Sequence, residues 1–291
     1  GACVYTIPNE VIKYLHVLKF IIKYRLTVIQ IVPSVIRLSV PLLHKMNLSS
    51  VKYCILTGEA TPIDLFAVWK NAIPLSKIFN YYGPTEATIY CSYYDCNNGE
   101  LNTYNGMIAI GKPFDGIRML IVDEVNNEVK TGEKGELLIS GSQVSSGYLN
   151  NEEKNASSYM LLSNGINKTS FYRSGDTCYK DKNGNIHYCG RIDSQVKIQG
   201  FRIELSEIEI CVKDISKLNN VVIAKKNKVD ALELILVLET SENYDKITLT
   251  NKMKAKLPEY MLPSAVYVLE EFPLNSSGKT DRVQIKSLVN A

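Results

Sequence analysis

Lys77-Ile78-Phe79-Asn80-Tyr81-Tyr82-Gly83-Pro84-Thr85-Glu86 sets a short apolar run directly against a Gly-Pro turn and an acidic residue. Lys77 to Phe79 reads as a strand, and the turn closes it, because proline cannot donate to a ladder and glycine allows a tight reversal. Upstream the pattern alternates. Val11, Leu15, Leu18 and Ile22 recur at helical steps between Asn9 and Tyr24, one face of a helix. Thr27 to Val32 is β-branched and nearly all apolar, a helical stretch resumes after Pro33, Tyr53 to Leu56 reads as the next buried strand, and Pro62 opens another helix. Helix alternating with short buried strand predicts a partial parallel sheet covered by helices, an α/β arrangement. Loops at the carboxyl ends of such strands are where open α/β sheets bind ligands. The Gly-Pro turn occupies one of these ends.

Downstream the pattern changes. Between Tyr104 and Tyr188 short strands (Arg118 to Val122, Glu136 to Ile139) are separated by Gly and Asn turns, with Asn183-Gly184 in a hairpin. That predicts a small β subdomain. After Arg191 the order becomes strand (Gln195 to Ile198), helix (Glu204 to Ile215), strand (Val221 to Ala224), strand (Leu232 to Leu238), helix (Lys246 to Leu257) and strand (Ala265 to Leu269). An α+β module of about 100 residues fits this order. The expected division is residues 1–192 and 193–291. Arg191-Ile192-Asp193 carries no Pro, Ser or Gly-rich linker, so a short hinge at Asp193 is expected.

Lysine and arginine number 33 against 30 acidic residues, a net charge of +3, with no block of five like charges. This argues against a nucleic-acid or polyanion binder held by electrostatics alone. Seven cysteines without a C-x-x-C pair and only three histidines give neither a disulfide framework nor a zinc site, so reduced, mostly buried thiols in a cytoplasmic protein are expected. Leu15 to Val40 is interrupted by Lys19, Lys23, Arg25 and Arg37 and cannot span a bilayer. No basic-then-apolar leader is read in the sequence, and the opening Gly1 in place of methionine suggests either an engineered fragment or an internal piece.

At the turn, Gly83 permits close backbone approach, Thr85 offers a hydroxyl, and Glu86 offers a hard oxygen suited to magnesium carried by a nucleotide. Taken alone, the same composition is that of an ordinary turn.

Several blocks in order resemble the adenylate-forming superfamily. Asn80 to Glu86 is similar to N-x-Y-G-P-T-E. Gly135-Glu136-Leu137-Leu138-Ile139 through Gly147-Tyr148-Leu149 resembles G-E-L-x-I...G-Y-L, and Tyr172-Arg173-Ser174-Gly175-Asp176 resembles Y-[RK]-[ST]-G-D. Gly190 to Ile198, then Arg202 to Leu205 and Glu207 to Glu209, are similar to G-R-x-D-x-Q-V-K-I...R-I-E-L...E-I-E. Leu257 to Pro263 and Asn275 to Arg282 complete the set. The form of these motifs resembles amino-acid adenylation domains of nonribosomal peptide synthetases and D-alanine:carrier-protein ligases.

The resemblance implies roles. Glu86 would hold magnesium and Thr85 would contact phosphate. Tyr82 would lie against adenine with Asn80 reading its amino edge, Tyr81 and Gly83 would belong to the same nucleotide-binding block, and Gly58-Glu59-Ala60 would form the opposite wall. Asp176 would accept from the ribose hydroxyls, Arg191 would reach ribose or phosphates, and Lys279 would act as a mobile cation between substrate carboxylate and α-phosphate. Gln30, Ile55, Thr57, Tyr81, Ile89 and Tyr90 would line the acid pocket. Residues 193–291 would be a mobile lid hinged at Asp193, with Lys197, Gln199 and Gly200 on the face used for thiolation. Singly, an Asp after Ser-Gly is usually a turn former, a Lys in Ser-Gly-Lys is usually solvated, and Arg-x-Asp is usually a surface pair worth under about 1 kcal/mol. Glu59 and Thr85 read equally well as turn residues, and the histidines match no motif position.

Members of the superfamily carry upstream a Ser/Thr/Gly-rich phosphate loop with a lysine; no such run occurs in this sequence, so the resemblance implies that residues 1–192 are the C-terminal part of the large subdomain. The function the resemblance implies is ATP-dependent activation of a small carboxylic or amino acid as acyl-adenylate, with transfer to the phosphopantetheine thiol of an acyl or peptidyl carrier protein. An acyl-CoA ligase, or a non-catalytic carrier-docking module, are the alternatives.

Overall fold

The computed structural model describes residues 2–6, 13–164, 167–193, 195–228, 230–242, 244–275 and 280–289. The chain divides into two compact units, Gly1–Asp193 and Ser194–Ala291.

The first unit begins with α1 (Lys13–Tyr24), β1 (Val28–Ile31), α2 (Pro33–Leu43), β2 (Tyr53–Leu56), α3 (Ile63–Ala72) and β3 (Lys77–Tyr82). Strands β1, β2 and β3 are parallel neighbours. One residue parity of each strand is buried, including Ile29, Ile31, Cys54, Leu56 and Ile78, in a core shared with Leu18, Ile21 and Trp69 of the helices. Each such aliphatic side chain removed from water contributes about 1.5–3 kcal/mol. The other parity carries exposed Val28, Gln30 and Tyr53 and half-buried Ile55, Phe79 and Tyr81.

The sheet is mixed rather than wholly parallel. β4 (Ser92–Asp95) runs antiparallel to β3, and the short β7 (Lys112–Pro113) antiparallel to β4, beyond a two-stranded ribbon of β5 (Thr103–Tyr104) and β6 (Met107–Ile108). Strand β3 also continues three residues past Phe79. Its extra length is stabilised by pairing with β4, Tyr81 with Tyr93 and Tyr82 with Ser92.

A second, antiparallel sheet follows. It comprises β8 (Ile117–Val122), β9 (Lys134–Gly141), β10 (Tyr159–Asn164), β11 (Asn167–Lys180) and β12 (Ile186–Arg191), with α4 (Glu152–Ser158) before β10. The order is β10-β11-β9-β8, with β12 on β11. The expected Asn183-Gly184 hairpin joins β11 to β12, with Gly184 at φ 81. Tyr82, Ala87 and Cys91 of the first sheet's end pack with Leu137, Ile139, Tyr172 and Cys178 of the second.

The second unit holds a hairpin of β13 (Val196–Ile198) and β14 (Phe201–Ile203). Its two-residue turn, Gln199 at φ 51 and Gly200 at φ 80, has the mirror-type geometry whose twist suits a hairpin. Next come α5 (Leu205–Ser216), β15 (Asn220–Lys226), β16 (Leu232–Glu239), α6 (Lys246–Lys254), β17 (Ala265–Leu269) and α7 (Arg282–Leu288). Alternation in β15 and β16 sends Val222, Leu234, Leu236 and Leu238 to the core with α5 and α6, and Val221, Ile223, Ile235 and Val237 to the core with Phe272 and Ile285. Strand β14 and helix α7 were not expected from the sequence. Phe201-Arg202-Ile203 is too short to show a period, and the polar composition of α7 hides its one buried position, Ile285.

No described helix is long and apolar enough to cross a membrane.

Candidate functional site

Two glycines end the adjacent strands. Gly58 follows β2 with φ 83. At Gly83, after β3, a Cβ would lie 2.4 Å from the Ile89 carbonyl oxygen and 2.9 Å from the Cys91 nitrogen, so only glycine lets the 84–90 loop fold back onto the strand end. That loop makes a short 3-10 turn, Thr85–Ala87, which buries Glu86 and leaves Thr85 exposed.

Asp176 reaches the same place from the second sheet. The pairing of β11 with β9 shifts register between Arg173 and Thr177, a bulge that re-aims the strand, with Gly175 at φ 69. The Asp176 side chain is buried. Its Oδ2 accepts from the Tyr82 hydroxyl at 2.5 Å and its Oδ1 from Arg191 Nη1 at 2.9 Å. Arg191 is its cross-strand neighbour on β12, and Nη1 also donates to the Ser174 carbonyl at 2.6 Å. Burial, and then the Asp176 charge, push the Tyr82 hydroxyl well above its usual pKa. For Arg191 burial works downward, but the bonds to Asp193 and Asp176 outweigh it and hold the guanidinium firmly charged. A Cβ on Gly175 would sit 2.6 Å from Arg191 Nη2, so this glycine keeps the guanidinium in place.

Glu86 is the second buried carboxylate, and it accepts from the Tyr148 hydroxyl. Tyr148 is fixed by Asn155, whose Oδ1 accepts from the Tyr148 backbone N–H at 2.6 Å and whose Nδ2 donates to its carbonyl at 2.9 Å. Burial, followed by Glu86, raises the Tyr148 pKa. Among the described residues no group of three or more His, Cys, Asp or Glu could hold a metal ion. One carboxylate beside an exposed threonine suits magnesium that arrives coordinated by phosphates, since that ion keeps most of its other ligands from substrate and water.

Asn80 is buried, with Oδ1 accepting from the Thr61 hydroxyl and Nδ2 donating to the Ala109 carbonyl, both at 2.9 Å. Its amide braces β3, and the Tyr82 ring lies in the core. Glu59 caps α2: its two oxygens accept from the Ser34 N–H and hydroxyl at 2.9 Å each, where negative charge meets the positive helix end. Ala60 is exposed.

Of the acid-pocket candidates, Gln30 and Ile55 are in register with Phe79 across β1, β2 and β3, and Thr57 is buried just beyond β2. Tyr81 packs edge-on to Tyr90 with ring centroids 5.0 Å apart, and to Phe114 at 5.4 Å. The Tyr90 hydroxyl is buried without a partner of hydrogen-bond geometry among the described residues. Burial raises its pKa, and the Thr57 hydroxyl acts in the opposite sense. Ile89 is 61 % exposed. Lys197 on β13 faces Arg202 on β14, and Gln199 and Gly200 form the exposed turn. Lys279 lies outside the described residues.

Three participants carry no role in the sequence reading. Tyr148 and Glu136 fall inside quoted motifs, and Glu136 pairs with Arg173, a spacing visible only once β9 and β11 are known to be neighbours. Gln143 belongs to no motif, yet its side-chain amide donates to the carbonyls of Ala87 and Tyr90.

Comparison with known proteins places this geometry. The chain is 34 % identical over 267 residues to zwittermicin A synthase ZmaJ of Bacillus cereus, covering 88 % of this chain and 49 % of that protein. It is 31 % identical over 250 residues to D-alanine--D-alanyl carrier protein ligase of Bacillus licheniformis, covering 84 % and 48 %. The adenylation domain AlmE of Vibrio cholerae, solved with glycyl-adenosine-5'-phosphate, superposes with a TM-score of 0.82 at 28 % identity, covering 95 % of this chain and 52 % of that one. The chain thus spans about half the length of these relatives. The family model described as AMP-binding enzyme matches residues 1–149, which is more than half of the sequence, and the chain belongs to the AMP-binding enzymes.

Proposed function

We propose that this chain is the C-terminal part of an amino-acid adenylation domain. The parent protein activates a small carboxylic acid, an amino acid above all, as its acyl-adenylate with ATP and magnesium, then passes it to the phosphopantetheine thiol of a carrier protein. One observation carries the reading: Asp176, a buried carboxylate, sits between Tyr82 and Arg191 at the end of the β3 loop. An ionised carboxylate has only acceptors, which suits the two donor hydroxyls of a ribose. Two relatives, a D-alanine--D-alanyl carrier protein ligase and an adenylation domain solved with glycyl-adenosine-5'-phosphate, support the same chemistry.

Adenylation joins a carboxylate oxygen to the α-phosphorus and expels pyrophosphate, so the site must neutralise growing negative charge. Arg191 supplies a permanent cation. Glu86 would hold magnesium, which when bound screens the phosphates, and Thr85 would contact them. In this reading the second unit is the mobile lid, bringing Lys279 to the reacting carboxylate, and Asp193 is its hinge. Lys197, Gln199 and Gly200 would face the pantetheine arm in the transfer state. Tyr81, Tyr90 and Ile55 leave room for a small or medium acid.

Pyrophosphate exchange by the full-length parent across amino acids and fatty acids tests this, followed by transfer to a holo carrier protein or to coenzyme A. Exchange with an amino acid and thioester on the carrier is expected. Exchange confined to long-chain acids with transfer to coenzyme A would make the protein an acyl-CoA ligase and overturn the reading.

A further inference from the structure

The 84–90 loop contains an unusual pair. Thr88 and Ile89, both β-branched, are consecutive residues at φ 52 and φ 70, a left-handed state such side chains rarely adopt. Something must hold them there. Within the loop the Ala87 N–H donates to the Pro84 carbonyl at 3.1 Å, the Thr88 N–H to the Thr85 carbonyl at 3.0 Å and the Tyr90 N–H to the Thr88 carbonyl at 2.9 Å.

A further restraint comes from a distant segment, the turn after β9. Gln143 Nε2 donates to the Ala87 carbonyl and to the Tyr90 carbonyl, each at 2.6 Å. These are the two carbonyls that bracket the left-handed pair. The Thr88 hydroxyl returns a bond to the Gln143 carbonyl at 2.6 Å, and two residues on, the Ser145 N–H donates to the Glu86 carbonyl at 2.8 Å. A primary amide nitrogen has two hydrogens, and here both are directed at one loop.

The consequence falls on the acid end of the site. Straightening Thr88 and Ile89 would swing Ile89 and withdraw Tyr90 from its edge-on contact with Tyr81. Asp176 and Arg191 are held instead by each other, by the Ser174 carbonyl and by Asp193. We propose that Gln143 is a positioning residue for acid recognition: its amide holds the Thr88–Ile89 pair left-handed and thereby sets the Tyr81–Tyr90 wall, while the Glu86 carboxylate in the same loop is fixed separately by the Tyr148 hydroxyl. This rests on the adenylation reading above for the identity of the ligand, and on geometry alone for the clamp.

Two variants separate the clamp from simple packing. Gln143→Leu keeps much of the shape and removes both donors, whereas Gln143→Lys restores donors at similar reach. In the 291-residue chain, amide hydrogen exchange of the peptide spanning residues 83–91 should quicken about tenfold or more in Gln143→Leu, with peptides of the second unit unchanged. In the full-length parent, pyrophosphate exchange with glycine, D-alanine and each proteinogenic amino acid as probes should show the KM for the acid raised about tenfold, and the KM for ATP altered less than about twofold. Gln143→Lys should recover most of both losses. Unchanged amide exchange at 83–91, equal rises in the two KM values, or no recovery with lysine would overturn the proposal. If wild-type parent exchanges with none of these acids, the adenylation reading fails, and the amide-exchange result alone decides whether Gln143 holds the loop.

Discussion

The guanidinium of Arg191 grips the carboxylate of Asp193 with two parallel bonds, Nε to Oδ1 at 2.9 Å and Nη2 to Oδ2 at 2.5 Å. Its remaining nitrogen holds Asp176. One side chain therefore ties the candidate ribose carboxylate to the last residue of the first unit. A two-pronged Arg–carboxylate pair fixes direction as well as distance, so the Asp193 side chain is held beside Asp176 within the first unit.

Replacing Asp193 by proline removes the fork and fixes φ at the proposed hinge. The Ile192 N–H keeps its bond to the Gly175 carbonyl at 2.9 Å, so β12 itself should survive. In the full-length parent, Asp193→Pro should impair thioester formation on the carrier more than pyrophosphate exchange. Equal loss in both half-reactions would assign the defect to folding.

Tyr82→Phe deletes the hydroxyl that donates to Asp176 and leaves a buried carboxylate oxygen short of a partner. The cost should be about 1–3 kcal/mol, and each kcal/mol lowers the melting temperature of a unit this size by about 2–4 °C. Calorimetry of the two proteins measures it directly, and an unchanged melting temperature would show that the bond adds nothing to stability.

The sequence makes the helix–strand alternation of β1 to β3 plain because each strand is a short apolar run and each helix has a periodic face. It conceals the antiparallel edge. Ser92-Tyr93-Tyr94-Asp95 is polar at both ends, and its pairing with β3 is a long-range choice that no local propensity records. At the site, Asp176, Arg191 and Glu86 stand out because charged residues flank glycine turns in recognisable order. Asn80 and Glu59 stand out equally, yet their polar atoms are engaged by Thr61, Ala109 and Ser34, since a motif position does not reveal whether the fold or a ligand occupies it. Gln143 is illegible for the converse reason: its partners are backbone carbonyls, which carry no sequence identity.

Asp181 governs the hairpin between β11 and β12. Its Oδ1 accepts from the N–H groups of Asn183 and Asn185, and His187 Nε2 lies 3.2 Å from its Oδ2. Partial burial works upward, but the bonds from His187, Asn185 and Asn183 prevail and hold the pKa below the ordinary 3.8. A depressed carboxylate contributes stability above its unfolded value and loses it as pH falls through the folded one. Asp181→Asn should therefore be less stable than wild type at neutral pH, with the gap closing below about pH 4. A gap constant down to acid denaturation would contradict this.

Thiol reactivity should follow burial. Burial lifts Cys54 and Cys96 to about 12, and Cys91 and Cys178 are likewise buried whereas Cys3 is exposed. The thiolate is the reactive form. Iodoacetamide at about pH 8 should label Cys3 and leave Cys54, Cys91, Cys96 and Cys178 unmodified in the native protein, with mass spectrometry locating the adducts. Rapid labelling of Cys54 before unfolding would contradict the packing around Trp69, whose indole N–H lies 3.3 Å from its sulfur.

Lys279 and Asp176 should fail in opposite ways. In the proposed mechanism Lys279 acts from the second unit, and its charge matters most where charge develops between carboxylate and α-phosphate. Lys279→Ala in the full-length parent should lower the adenylation rate by about a hundredfold or more, with ATP affinity nearly unchanged. Asp176 would hold ribose hydroxyls in ground and transition states alike, so its loss should appear first in nucleotide binding. Asp176→Asn is the better probe than alanine, because an amide retains an oxygen to accept from Tyr82 and limits collapse of the buried site. It should weaken ATP binding by about tenfold, read by calorimetric titration, while the rate at saturating ATP falls less. If Lys279→Ala weakens ATP binding as much as it slows adenylation, its charge belongs to ground-state binding and the assigned role is wrong.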